Sequence, residues 1–215
     1  MTNRSMTFLA KAVALETDLS LPVVEIFHSI QGEGSWTGTN AFFIRLAGCD
    51  VGCPWCDTKH SWNPKRHPHR EISELVAAAQ AANPQIVVIT GGEPLMYDLT
   101  VLTQQLQAKG LQVHLETSGA HPFSGTFGWV TCSPKRFKPP HPSIYPHVSE
   151  LKIVIADESD LEWAEQQAAE VPPTAAKLLQ PEWETPGSQK IVFSYVLKHS
   201  EWRVSLQTHK FLGVQ

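Results

Sequence analysis

The sequence predicts an α/β fold: a partial (incomplete) TIM-type barrel of mostly parallel strands, with the active site at the C-terminal ends of the strands. Three observations predict it. Apolar, β-branched runs alternate with amphipathic helical patterns, and that alternation implies right-handed crossovers and a parallel sheet. About six such units in roughly 190 residues fall short of a closed eightfold barrel, which takes about 250. Finally, 215 residues, 42% hydrophobic and 18% charged, suffice for one domain with a substantial core and are too few for two comfortable ones.

Val23–Phe27 and Ala41–Leu46 are rich in β-branched and aromatic residues and read as strands. Gly32, Gly34 and Gly38 place a loop between them. Ile72, Leu75, Val76 and Ala79 recur at helical spacing, so 72–82 reads as a helix, with Ser73 and Glu74 near its start. Ile86–Thr90 is a short apolar run ending in Gly91-Gly92. Leu99, Leu102 and Leu106 form a second amphipathic helix, closed by Gly110. Gln112–Glu116, Trp129–Ser133, Leu151–Ile155, Lys177–Leu179 and Val204–Gln207 read as further strands, and Leu161–Glu170 as a helix. Gln189–His199 suits either state by pattern, and its length favours a helix. Pro64–Arg70, with His67 and His69, reads as a solvated loop.

Seventeen Lys and Arg against twenty-one Asp and Glu give a net charge of −4, which argues against a nucleic-acid-binding surface. No apolar run approaches a membrane span. Lys11, Glu16 and Asp18 interrupt the first residues, so they do not read as a signal peptide. Residues 1–21 are expected to be an extension, a leader strand or a frayed arm, and residues 22–215 the barrel domain. Four cysteines are too few for a secreted disulfide scaffold, and a cytoplasmic location is expected.

Three of those cysteines fall within eight residues, Cys49-Asp50-Val51-Gly52-Cys53-Pro54-Trp55-Cys56, directly after the strand Ala41–Leu46. Three thiols make poor disulfide partners and good metal ligands, since Gly52 and Pro54 can turn the chain around a small inorganic core. His60 would complete a Cys3His zinc set. An iron–sulfur cubane held by these three cysteines would leave one iron open to an outside ligand. Cys132, distant in sequence, reads as a buried structural thiol at a strand end.

The C-x3-C-x2-C run resembles that of the radical S-adenosylmethionine (SAM) superfamily, as do Trp55 before the last cysteine and Thr90-Gly91-Gly92-Glu93-Pro94 after a strand. A narrower resemblance rests on an ordered set of blocks from about residue 22 to the C-terminus. These are Phe27–Gly34, Arg45, Cys56-Asp57-Thr58, Leu115–Gly119, Ser133-Pro134-Lys135 and Ser205–Lys210. Together they are similar to the 7-carboxy-7-deazaguanine synthase family. Another radical SAM enzyme, such as a glycyl-radical activase, would share the triad and Gly91-Gly92, but not Gln31-Gly32-Glu33 or the tail. A zinc module would share only the cysteines.

The resemblance implies a lyase that converts 6-carboxy-5,6,7,8-tetrahydropterin to 7-carboxy-7-deazaguanine with loss of ammonia, a step toward queuosine and related deazapurines. It implies a [4Fe-4S] cluster, SAM and Mg2+ as cofactors, an electron donor such as flavodoxin, and a homodimer. One electron from the cluster would split SAM into methionine and a 5′-deoxyadenosyl radical, which starts the ring contraction. No residue is assigned a catalytic role beyond this cofactor chemistry.

On the same resemblance, Cys49, Cys53 and Cys56 hold the cluster. Trp55, Cys56, Asp57, Gly92, Ser133, Pro134, Lys135 and Gln180 approach SAM. Ile30, Gln31, Gly32, Glu33, Arg45, Thr90 and Gln215 meet the substrate, and Thr58 presents its hydroxyl to Mg2+. Alternation places Ala41, Phe43 and Arg45 on one face of their strand. An inward guanidinium needs an anion: the substrate carboxylate in the family reading, or otherwise Glu33 or Glu116. Glu116 and His209 receive no role.

Overall fold

The structure, a computed structural model, describes residues 19–215. Of the extension, leader strand or frayed arm read in residues 1–21, residues 1–18 lie outside the described residues. Among the described residues nine strands form one open sheet: β1 (Ser20–Ile30), β2 (Asn40–Leu46), β3 (His69–Glu71), β4 (Ile86–Gly91), β5 (Val113–Thr117), β6 (Trp129–Cys132), β7 (Glu150–Ile155), β8 (Ala176–Pro181) and β9 (Trp202–Val204). The spatial order is β3-β1-β2-β4-β5-β6-β7-β8-β9. Every neighbouring pair from β2 through β9 is parallel, whereas β1 pairs antiparallel with both β2 and β3. Among the described residues β3 and β9 are the edges of the sheet, which makes this an incomplete barrel.

The helices are α1 (Ile72–Ala82), α2 (Thr100–Ala108), α3 (Ser159–Glu170), α4 (Ser188–Val196) and α5 (Thr208–Leu212). Asn83, with φ +47°, stops α1, and Gly110, with φ +76°, follows α2. Those positive φ values turn the chain out of the helix. Helices α1 to α4 cover the outer face of the sheet. There Leu46, Leu75, Leu102, Leu106, Leu115, Leu151 and Trp202 join one continuous core, in which each fully buried leucine contributes about 1.5–3 kcal/mol.

A second, small cluster of Ala41, Phe43, Ile86 and Val88 fills the barrel interior, with Phe27 and Trp36 against it. Trp36 meets the rings of His114 and Trp129 edge-on at 4.7 and 5.8 Å. This aromatic layer packs the end of the barrel where the parallel strands begin, so the interior opens at their C-terminal ends.

Several boundaries differ from the sequence reading. β1 starts at Ser20 and runs to Ile30, and Leu21, placed in the extension by sequence, is buried in the core. Pro64–Arg70 is not wholly loop: His69–Glu71 pairs with Ser20–Pro22 as β3, because the long β1 offers an edge there. The last strand is Trp202–Val204 rather than Val204–Gln207. Its register on β8 ends at Val204 opposite Leu179, and Ser205 makes the last main-chain bond to that strand. Gln189–His199 does contain a helix, α4.

Candidate active site

Strand alternation decides what enters the barrel. On β2 Phe42, Ile44 and Leu46 join the outer core, which leaves Ala41, Phe43 and Arg45 inside. On β7 Leu151, Ile153 and Ile155 face outward, which turns Glu150, Lys152 and Val154 inward. Register then sets the interior side chains side by side: Arg45 opposite Thr90, Glu116 opposite Thr131, Thr131 opposite Glu150, and Val154 opposite Gln180. Above them lies a cavity of about 340 Å³.

One half of the cavity is a network of side-chain charges. Thr90 Oγ1 and Gln31 Nε2 each donate to Glu116, both at 2.8 Å. The Glu33 N–H donates to Gln31 Oε1 at 3.0 Å. Glu33 itself pairs with Lys152 and accepts from Gln207 Nε2 at 2.8 Å. Burial opposes the charge on Glu33, but Lys152, helped by Gln207 and His209, brings its pKa down to about 2. Arg45 takes neither Glu33 nor Glu116. Its Nε donates to Glu25 at 2.8 Å, and its guanidinium carbon lies 5.7 Å from the centre of the Phe27 ring. Among the described residues its two terminal amino groups donate to no protein atom. Gln215 reaches the same place: its backbone oxygen accepts from Ser29 Oγ at 2.6 Å and its amide donates to Glu25.

The other half is built from main chain. Cys49, Cys53 and Cys56 are half-buried and line the same cavity. Their loop is fastened from behind, where the N–H groups of Gly48 and Cys49 donate to the carbonyls of Ser61 and Trp62 at 2.7 and 3.1 Å. The Gly91-Gly92 turn presses on the loop. A Cβ on Gly92 would lie 2.1 Å from the Gly48 carbonyl oxygen, and one on Gly91 2.2 Å from that of Leu46. Gly91 also adopts φ +140°. Only glycine fits either position.

The donor set suits an iron–sulfur cluster. Cluster thiolates bind different irons, so they need not converge on one point, and among the described residues no three His, Cys, Asp or Glu side chains do so. His60, the fourth ligand of a zinc set, is exposed and off the cavity wall, with its carbonyl accepting from His67. Burial pushes the Cys49 and Cys53 thiols up, a shift that a bound cationic centre reverses. The Ser61 hydroxyl, wholly buried and without a hydrogen bond among the described residues, lines the same wall. Cys132 is buried, its pKa pushed up to about 12 by that burial, and it lies outside the cavity as a structural thiol.

Most of the other residues expected from sequence also reach the cavity wall. Trp55 packs edge-on against Phe137 at 5.9 Å, Asp57 lies 3.4 Å from Lys210, and Thr58 Oγ1 is 3.5 Å from Cys56 Sγ. Lys135 Nζ donates to the Ser133 carbonyl and hydroxyl at 2.5 and 2.7 Å, and burial lowers its pKa. Pro134 is the exception: it is buried between these two and does not line the cavity. Gln180 lines it while accepting from Ser205 Oγ at 3.0 Å. Ile30, Gln31, Gly32, Glu33, Arg45, Thr90, Gly92 and Gln215 all border it.

The sequence reading missed Lys152, Glu150, Gln207 and Lys210, and left Glu116 and His209 without a role. Lys152 carried a legible signal, a lone charge in the apolar run Leu151–Ile155, as Arg45 does in its own strand. His209 covers Gly32: a Cβ on Gly32 would lie 2.2 Å from its Nδ1. Both the N–H and the hydroxyl of Thr208 donate to the Gly32 carbonyl at 2.9 Å, so α5 is laid across the cavity mouth.

Residues 43–124 match the radical SAM superfamily model. The chain is 54% identical over 197 residues to the 7-carboxy-7-deazaguanine synthase of Synechocystis sp., covering 92% of this chain and 95% of that protein. It is 33% identical over 225 residues to that of Escherichia coli K12, covering 91% of this chain and 100% of that protein. The crystal structure of QueE from Escherichia coli superposes with a TM-score of 0.81 at 30% identity, over 97% of this chain and 100% of that one.

Proposed function

The chain belongs to the 7-carboxy-7-deazaguanine synthase family of radical SAM enzymes, and from that membership we propose that its substrate is 6-carboxy-5,6,7,8-tetrahydropterin, which it converts to 7-carboxy-7-deazaguanine with loss of ammonia. The observation that carries the reading is one cavity. The superfamily's cysteine loop and glycine turn line it together with Gln31-Gly32-Glu33, Arg45 and Gln215, the residues that the narrower family resemblance singles out.

Bound together, a [4Fe-4S] cluster on Cys49, Cys53 and Cys56 and SAM supply the one-electron chemistry that starts the reaction. The chain's own residues bind, orient and exclude water. Arg45 offers its free amino groups to the substrate carboxylate, a planar donor set that suits a planar acceptor. Glu33, ionised, accepts from N–H donors on the amide-like edge of the pterin, and Thr90 and Gln31 hold Glu116 beside it. Trp55, Asp57, Gly92, Ser133, Lys135 and Gln180 border the SAM half, with Pro134 acting only by bending the Ser133–Lys135 segment. Thr58 would offer its hydroxyl to Mg2+. The tail carrying Thr208 and Gln215 closes the mouth against water.

The same reading includes a cytoplasmic enzyme, an electron donor such as flavodoxin, and a homodimer. No helix among the described residues is long and apolar enough to cross a membrane. The test is an anaerobic assay of iron- and sulfide-reconstituted protein with dithionite, SAM, Mg2+ and the carboxypterin, with product followed by mass. The deazaguanine product is expected. Cleavage of SAM without it would refute the substrate assignment and leave the radical chemistry standing.

A further inference from the structure

Lys152 interrupts the apolar strand β7, and alternation turns it into the barrel, where it is 7% exposed. Three carboxylates surround it: Glu33 from the loop after β1, Glu116 from β5 and Glu150 from β7. Two of these are occupied elsewhere. Glu116 accepts from Gln31 and Thr90, and Glu150 accepts from the Ser35 N–H at 2.7 Å and Thr131 Oγ1 at 3.2 Å. Glu33 alone takes Lys152 in an ion pair, across 119 residues of sequence. Its second oxygen is bonded to Gln207. The carboxylate is therefore fixed at both ends, in position and in plane.

We propose that Lys152 is a positioning residue for the pterin: it holds the Glu33 carboxylate ionised and aligned as an acceptor for the N–H donors of the pterin's amide-like edge, without itself touching the reacting carbon. The inference rests on the substrate reading above. The 2-amino group and the adjacent ring N–H of a pterin are both donors, so an ionised carboxylate complements them, whereas a protonated one sets a donor against a donor. Glu33 faces Lys152 on β7 and His209 on α5, and Lys152 in turn faces Glu116 on β5, Glu150 on its own strand and Lys135 after β6, with the Arg45–Glu25 pair on the β1–β2 side. Burial alone would push Glu33 up. Lys152 is the largest influence opposing it, and burial also works against the lysine's own charge before Glu33, Glu116 and Glu150 outweigh it.

The sign follows from the depressed pKa. In the wild type Glu33 stays ionised down to about pH 2, so its acceptor role does not vary across the working range. Removing the lysine leaves a buried carboxylate that protonates as pH falls through a raised pKa.

The test is equilibrium binding of the carboxypterin to cluster-loaded protein with SAM and no reductant, measured anaerobically by calorimetry between pH 5.5 and 8.5. Lys152→Met is expected to weaken binding by about tenfold or more at the acid end, the scale of a lost charge-assisted hydrogen bond, and to recover as pH rises. Lys152→Arg should stay close to wild type. Glu33→Gln should weaken binding by one factor at every pH. A Lys152→Met loss that is equal at every pH, or no loss, would overturn the proposal. Because that variant buries an unpaired charge, the double variant Glu33→Gln/Lys152→Met provides a second arm. It should bind no worse than Glu33→Gln alone, and additive losses would overturn the coupling. Wild-type protein that does not bind the pterin would instead remove the substrate reading.

Discussion

Glu93 ties the ends of β4 and β5 together, and replacing it with glutamine tests how the site is held. The side chain is 1% exposed. Its Oε1 accepts from the Leu95 N–H at 3.0 Å and from Thr117 Oγ1 at 2.5 Å. Its Oε2 accepts from the Ser118 N–H at 2.8 Å and from the Ser118 hydroxyl. Hydroxyls can turn to accept, but a main-chain N–H cannot, and one N–H points at each oxygen. Whichever way the amide of Glu93→Gln is placed, its NH2 group faces a buried N–H. An unsatisfied buried donor costs about 1–3 kcal/mol, and the loss of charge from the surviving bonds brings the sum to about 2–4 kcal/mol. In a domain of this size that lowers Tm by roughly 4–16 °C. Glu182→Gln is the control. Glu182 is also buried, but both of its bonds, from the Glu184 N–H at 3.1 Å and Thr185 Oγ1 at 2.5 Å, reach the same oxygen. Its amide can keep both, and the change should stay within about 0.5 kcal/mol. Thermal unfolding of the two variants beside wild type decides the matter. Equal melting temperatures for Glu93→Gln and Glu182→Gln would refute the reasoning, since it depends on where the donors sit and not on burial.

Cys53→Ala should abolish iron and sulfide retention while leaving most of the far-UV circular dichroism in place, and a variant that still cleaves SAM at the wild-type rate would contradict the ligand assignment. Gly92→Ala would place its methyl group 2.1 Å from the Gly48 carbonyl oxygen, so a destabilisation of about 1–3 kcal/mol with reduced iron content is expected. Full iron loading at unchanged Tm would show that the two turns do not press on one another. Burial lowers the pKa of His114 from 6.5 to about 4. The unfolded chain therefore takes up the proton first on acidification. Stability is full above about pH 6.5 and falls by up to about 3 kcal/mol toward pH 4. Denaturant titrations at several pH values should show that slope, and His114→Gln should flatten it. An unchanged slope in the variant would place the acid sensitivity elsewhere.

What the sequence displayed is what periodicity and spacing encode. Ala41, Phe43 and Arg45 on one face, the helix from Ile72, the stop at Gly110 and the buried Cys132 all follow from local pattern, and the structure has each of them. The partner of an inward charge is not local. Arg45 meets Glu25, the residue opposite it in the antiparallel β1–β2 register, and that register depends on how the loop between the strands closes. Lys152 shows the same limit from the other side: its strand position was as visible as that of Arg45, but its partner lies 119 residues away. β3 escaped because three residues of His, Arg and Glu carry no strand pattern, and an available edge on β1 is enough to pair them.

The two halves of the cavity are held by different means, and that governs how each responds to change. The cysteine half is seated by main chain on main chain: Gly91 against Leu46, Gly92 against Gly48, and the loop's N–H groups on Ser61 and Trp62. An added methyl group there displaces backbone, so a small substitution reaches the cysteine loop. The charged half is held by side chains, with Arg45 and Gln215 on Glu25 and Lys152 and Gln207 on Glu33. Substitutions there alter affinity and its pH dependence before they alter the fold. The tail touches both. Lys210 donates to Gln207 at 2.8 Å, lies 3.4 Å from Asp57 and sits 5.0 Å from the centre of the Trp183 ring. Its ammonium therefore joins the residue that holds Glu33 to the loop that carries Cys56. Displacing α5 opens the charged half and frees Asp57 in one movement, so under the proposed function loss of the tail should weaken substrate and SAM binding together.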